Sequence, residues 1–201
     1  MFTSTLIKMM KDYKKVDRVI LPGLKMIEQL QCNGCFTNLA EENHHFGMDL
    51  YVVCKEEITQ CGDPQKLLAS IDVFCGLLQF TECVLKKVLT QLMIFLCHKY
   101  PKVRKMTANK LYEAMLTYDD LVAEDNLDEV LSILSETQWD KPVSEVKPLR
   151  NKLCELFHVP KPVTKIMMLG DHSVIYNEVW FQTDFEAQNT ELDVVQIWER
   201  C

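Results

Sequence analysis

Tyr100-Pro101-Lys102-Val103-Arg104-Lys105-Met106-Thr107-Ala108-Asn109-Lys110-Leu111-Tyr112 is the stretch on which the fold class turns. Pro101 ends the helix before it and presets the first turn of the next, because its ring fixes φ and a first turn does not need its missing N–H. Downstream, Val103, Met106, Leu111, Ala114, Met115 and Tyr118 gather near one face, with Lys102, Lys105, Asn109 and Glu113 largely opposite. Upstream, residues 81–99 set Leu85, Val88, Leu89, Leu92, Phe95 and Leu96 at helical spacing. Every residue from 92 to 97 is apolar, so this helix is expected to be covered on both sides. A pair of such helices cannot bury all its apolar surface alone, and neighbouring pairs must stack on it.

Working outward, residues 17–30 place Ile20, Leu24, Ile27 and Leu30 on one face, with Pro22 requiring a kink or a start nearby and Asn33-Gly34 a stop. Residues 45–59 carry Phe46, Leu50, Val53, Cys54 and Ile58 and end at Cys61-Gly62. Asp63-Pro64 then supplies a side-chain cap followed by proline at the first helical position. Beyond the central pair, Asp125 or Asn126 is expected to cap a helix bearing Leu127, Val130, Leu131 and Leu134. A last helix holds Val146, Leu149, Leu153, Leu156 and Phe157, its regular part beginning near Pro148. Residues 1–15 read as the end of a helix that starts earlier, in a longer chain. About seven helices with short connections result, an all-α domain over 1–160 followed by a weakly ordered, acidic and aromatic tail over 161–201.

The totals bound the partners. A net charge of −7 disfavours nucleic acid and anionic lipid, and the longest apolar run is far short of the roughly 20 residues that span a bilayer. No signal-peptide core is seen near Met1, so a soluble intracellular protein is expected. Nine cysteines, an odd number spread over helices, read as reduced thiols packed as small hydrophobes.

Across 13–162 the sequence resembles the C-terminal domain of the tubulin-folding cofactor D family. The residues that carry the resemblance include Asn33-Gly34-Cys35-Phe36, Val73-Phe74-Cys75-Gly76, Leu96-Cys97-His98-Lys99, Arg104-Lys105-Met106-Thr107-Ala108 and Arg150-Asn151-Lys152-Leu153-Cys154-Glu155-Leu156. The resemblance implies a HEAT/armadillo-like helical-repeat solenoid that binds β-tubulin after its release from the chaperonin. It implies that cofactors C and E and an Arf-like small GTPase are partners in assembling the α/β-tubulin heterodimer, with support for GTP hydrolysis by tubulin. It further implies a cytoplasmic location at microtubules or the centrosome. Family members are much longer, so the chain is expected to be a fragment or truncated product, with residues 163–201 lying outside the resemblance and arising from an alternative exon or read-through.

No phosphate loop, G-x-S-x-G or H-E-x-x-H occurs, so no enzyme, no cofactor and no metal is implied. Cys32-Asn33-Gly34-Cys35, followed by His44, His45, Cys54 and Cys61, invites a zinc reading, but the later ligands lack the repeated tight spacing and a helix-ending turn is favoured. A redox dithiol is disfavoured because the motif closes a helix instead of opening one. His98 is expected to complement a helix C-terminus. The one local contact for an acidic partner is a basic ridge of Lys102, Arg104 and Lys105, weighed against simple solvation of the helix.

Overall fold

A computed structural model describes residues 2–41, 44–80, 82–118, 121–162, 165–169 and 172–176. The chain divides into two units, 1–161 and 162–201. Among the described residues of the first unit there are nine α-helices: α1 (Phe2–Asp12), α2 (Asp17–Cys32), α3 (Thr37–Glu41), α4 (Phe46–Ile58), α5 (Pro64–Gly76), α6 (Glu82–Phe95), α7 (Pro101–Thr117), α8 (Glu124–Glu136) and α9 (Val143–Leu156). Helix α1 lies where residues 1–15 were expected to be helical and carries a buried stripe of Leu6, Ile7 and Met10, and the short α3 was not expected.

The helices form two layers. In one, α1 packs on α4, α4 on α6 and α6 on α9; in the other, α2 packs on α5, α5 on α7 and α7 on α8. Each helix also touches its partner across the layers, giving the pairs α1/α2, α4/α5, α6/α7 and α8/α9. This is the helical-repeat stack that the apolar stripes called for. The last pair runs in reverse: α8 stays in the layer of α7, and α9 returns to lie beside α6. Helix α6 is enclosed along its last turns as expected, with Leu92, Met93 and Phe95 in the core, followed by the buried Leu96, and even Thr90 and Gln91 buried.

Local chemistry explains most helix ends. The Asp63 side chain accepts from the Gln65 N–H at 2.9 Å and Pro64 occupies the first turn, as read from the sequence. Gly34 takes φ +69° and wraps the chain back, its N–H on the Gln31 carbonyl and the Cys35 N–H on that of Leu30. Three expectations are corrected. Helix α4 ends through Gln60 at φ 57°, not through Cys61-Gly62. Helix α8 starts at Glu124 after Ala123 with no side-chain cap, so Asp125 and Asn126 lie inside it. Helix α9 begins at Val143, five residues before Pro148 and not near it, whereas α2 begins at Asp17 as read, with Pro22 inside it. Both rings are exposed, and so near a helix start each removes one bond whose carbonyl water can reach.

The left-handed Lys15 (φ 63°) is held by a buried ionic cluster. Its N–H donates to Glu57 Oε1 at 2.8 Å, and its Nζ donates to the carbonyls of Glu56, Glu57 and Thr59 at 2.7, 2.8 and 3.0 Å, closing the end of α4. Glu57, 1% exposed, lies 3.4 Å from Lys66 Nζ, which also pairs with Asp17. Burial alone would lower the Lys66 pKa, but the hydrogen bond to Asp17 and the Glu57 charge outweigh it and hold the ammonium above its ordinary value. One cluster thus joins the α1–α2 turn to α4 and α5.

Gly47, in the first turn of α4, lies against a core ring: a Cβ there would stand 2.5 Å from Cδ1 and 2.9 Å from Cγ of Phe80. Gly47→Ala is expected to lower stability by about 1–3 kcal/mol, because displacing a packed ring outweighs the gain of about 1 kcal/mol in helix propensity. Urea unfolding checks this, and an unchanged midpoint would show that Phe80 has room to move.

In the second unit, the segment expected as a weakly ordered tail carries an antiparallel pair, β1 (Lys165–Leu169) and β2 (His172–Tyr176). Lys165 is opposite Tyr176, Met167 opposite Val174 and Leu169 opposite His172. Gly170-Asp171 between two apolar runs is a two-residue hairpin signal in the sequence. The rest of the tail, residues 177–201 with Trp180, Phe181 and Trp198, lies outside the described residues.

Candidate interaction surface

The basic stretch that the sequence singles out lies where the chain leaves α6 and enters α7. Lys102 and Lys105 are exposed on the first turns of α7, and neither has an ion-pair partner among the described residues. Lys99, just before them, is also exposed, with its Nζ 5.0 Å above the Tyr100 ring. Helix α7 has no acidic residue in its first turn, so these cations crowd the positive end of the helix against its dipole.

Arg104 is not part of that ridge. It is 2% exposed, and its guanidinium faces inward. Nε donates to the Trp139 carbonyl at 2.7 Å, Nη1 to those of His98 and Lys99 at 2.6 and 3.3 Å, and Nη2 to those of Asp140 and Lys141 at 3.2 and 2.6 Å. Five carbonyls from the α6–α7 and α8–α9 turns are thereby tied to one side chain, and Trp139 Nε1 donates in turn to the Leu134 carbonyl near the end of α8. The signal was available: Arg104, Thr107, Ala108, Leu111 and Met115 share the spacing of a buried stripe, whereas the sequence reading grouped Arg104 with the lysines by charge. What remains exposed is Lys99, Lys102 and Lys105.

His98 is also corrected. Its pKa is lowered to about 4 by burial and by the charges of Lys99 and Arg104, so it is neutral and does not complement a helix end as a cation. Its Nδ1 accepts from the Tyr100 N–H at 3.2 Å, and its ring is 5.1 Å from that of Tyr100. Because the unfolded side chain takes its proton near pH 6.5 and the folded one only near 4, the unfolded state binds more protons between these values. Stability is therefore expected to fall as pH drops from 6.5 towards 4, and His98→Asn should flatten that part of a urea-midpoint profile. A profile identical to wild type would mean that His98 is not held neutral.

Cys32 and Cys35 are both exposed at the Gly34 turn, while Cys54 and Cys75 are buried with their thiols pushed well above the ordinary range, mainly by burial. Brief alkylation of the native protein is expected to mark Cys32 and Cys35 before Cys54 and Cys75, read by peptide mass spectrometry; equal labelling would show that the core opens readily. Among the described residues no three or more His, Cys, Asp or Glu side chains are grouped to hold a metal ion. No helix among them is long and apolar enough to cross a membrane.

A family model described as tubulin folding cofactor D C terminal matches residues 1–66. These residues match the tubulin folding cofactor D C-terminal family. No solved structure matches the chain. The cofactor D match takes in α1 to α4 and the opening of α5, including the whole Lys15, Asp17, Glu57 and Lys66 cluster. It extends the resemblance on the N-terminal side, from residue 13 to residue 1, and stops short of the α6–α7 corner. The segment similar to the family and the cationic surface are therefore different parts of one helical stack.

Proposed function

We infer that the chain is a non-enzymatic segment of a tubulin-folding cofactor, which binds β-tubulin and takes part in its folding after the chaperonin and in assembly of the α/β-tubulin heterodimer. The observation that carries this reading is the cofactor D match over 1–66, on a chain folded as a helical-repeat stack. Stacked helices offer broad surfaces suited to a folded protein partner. In this role the chain supports GTP hydrolysis by tubulin without supplying a catalytic group, acts in the cytoplasm at microtubules or the centrosome, and has cofactors C and E and an Arf-like small GTPase as further partners.

Affinity capture of residues 1–201 from cytosol, read by mass spectrometry beside the 1–161 unit, tests this. Recovery of β-tubulin with both proteins places its binding surface in the helical stack. No tubulin from folded, monomeric protein sinks the reading, and enrichment of a different partner would point to a general helical adaptor.

A further inference from the structure

We propose that the corner made by the α6–α7 turn and the first turns of α7 is a docking surface for a carboxylate-rich peptide segment of a partner protein, held by Lys99, Lys102 and Lys105. The three ammonium groups are exposed on a chain whose net charge is −7. None has an ion pair among the described residues, whereas Lys110 nearby on α7 is paired with Asp72 and Glu113. Lys102 and Lys105 stand at the positive end of a helix, where lysine is locally unfavourable. A local rule broken with no compensation among the described residues is expected where the compensation comes from a partner.

The charges acting on His98 are Lys99 and Arg104, and those acting on Cys97 are Arg150, Lys147 and Arg104, with no carboxylate among them. Arg104 makes the corner rigid by fixing the carbonyls on both sides of it, so little ordering is left for binding. Lys102 and Lys105 are three apart on a helix, about 5–6 Å between Cβ atoms, close to the roughly 6.6 Å between alternate residues of an extended strand. That spacing suits a segment with acidic residues at every second position. Long-range repulsion by the acidic chain disfavours a polyanion that needs an extended basic face.

The test uses the full chain and a fluorescein-labelled peptide of alternating glutamate and serine, read by anisotropy at salt from about 50 to about 200 mM. Binding is expected at low salt, weakening with added salt, with a loss of about tenfold or more in the Lys102→Glu/Lys105→Glu variant. Both positions are exposed, so the variant should melt like wild type. The matching glutamine–serine peptide should not bind. Equal affinity for the double variant, or no binding at low salt, overturns the proposal. So does tighter binding of a single-stranded oligonucleotide or of phosphatidylserine vesicles, either of which would assign the corner to phosphate. The probe is synthetic, so its result stands whether or not β-tubulin is captured.

Discussion

Arg104→Ala is expected to lower the unfolding free energy by at least about 3 kcal/mol, the largest effect of any change at the α6–α7 corner. The substitution removes a buried cation and leaves five carbonyls, on His98, Lys99, Trp139, Asp140 and Lys141, without their donor. Hydrogen bonds to a charged group are worth about 1.5–3 kcal/mol each, and they are not additive because the freed turns relax and admit water. Arg104→Lys keeps the charge but not the planar fork that reaches two turns at once, so it is expected to lose a large part of the same stability. Lys102→Ala and Lys105→Ala, exposed on the same helix, should stay within about 0.5 kcal/mol of wild type. Urea unfolding of the four variants separates these cases. An Arg104→Ala protein as stable as Lys102→Ala would contradict the buried clamp and restore Arg104 to the surface ridge.

Glu57→Ala is expected to cost about 3–5 kcal/mol, the usual consequence of removing one partner from a buried ion pair. Lys66 would be left buried with Asp17 alone, whose side chain is 58% exposed, and the left-handed Lys15 would lose the acceptor of its N–H. Glu57→Gln keeps an oxygen for Lys15 and should lose less. Replacing both ends of the pair, as in Glu57→Leu with Lys66→Met, should recover much of the loss, because the desolvation of two charges disappears with them. Double-mutant unfolding measures that recovery. If the double variant were as unstable as the sum of the single ones, the pair would not be coupled as described. All of these residues fall within the segment that matches the cofactor D family, so the cluster is an internal brace of that segment.

Several helix ends were legible where a residue sets the backbone locally. Pro101, Asp63-Pro64 and Asn33-Gly34 act within a turn of themselves, and the structure places helix ends at each of them. The buried clamp was less legible, because neighbouring residues on a helix point about 100° apart while charge is read along the chain: Lys102, Arg104 and Lys105 form one basic run in sequence and two opposite faces in space. His98 was misread for a related reason. Its neutrality comes from burial and from the charges of Lys99 and Arg104, which only the folded turn brings to bear on it.

By itself, the sequence determined an all-helical stack, the enclosure of α6 and most of the helix starts, since those follow from apolar periodicity and from residues that fix φ or supply a cap. Tertiary structure alone decided the two layers, the reversed last pair, the Arg104 clamp and the Glu57 cluster. The partners of Arg104 on the α8–α9 turn are 35 to 37 residues away, and Lys15 and Glu57 are 42 apart. Contacts at that separation leave no period in the sequence; they exist because packing the helices brings distant turns to the same end of the stack, where a buried charge must find partners or not be buried at all.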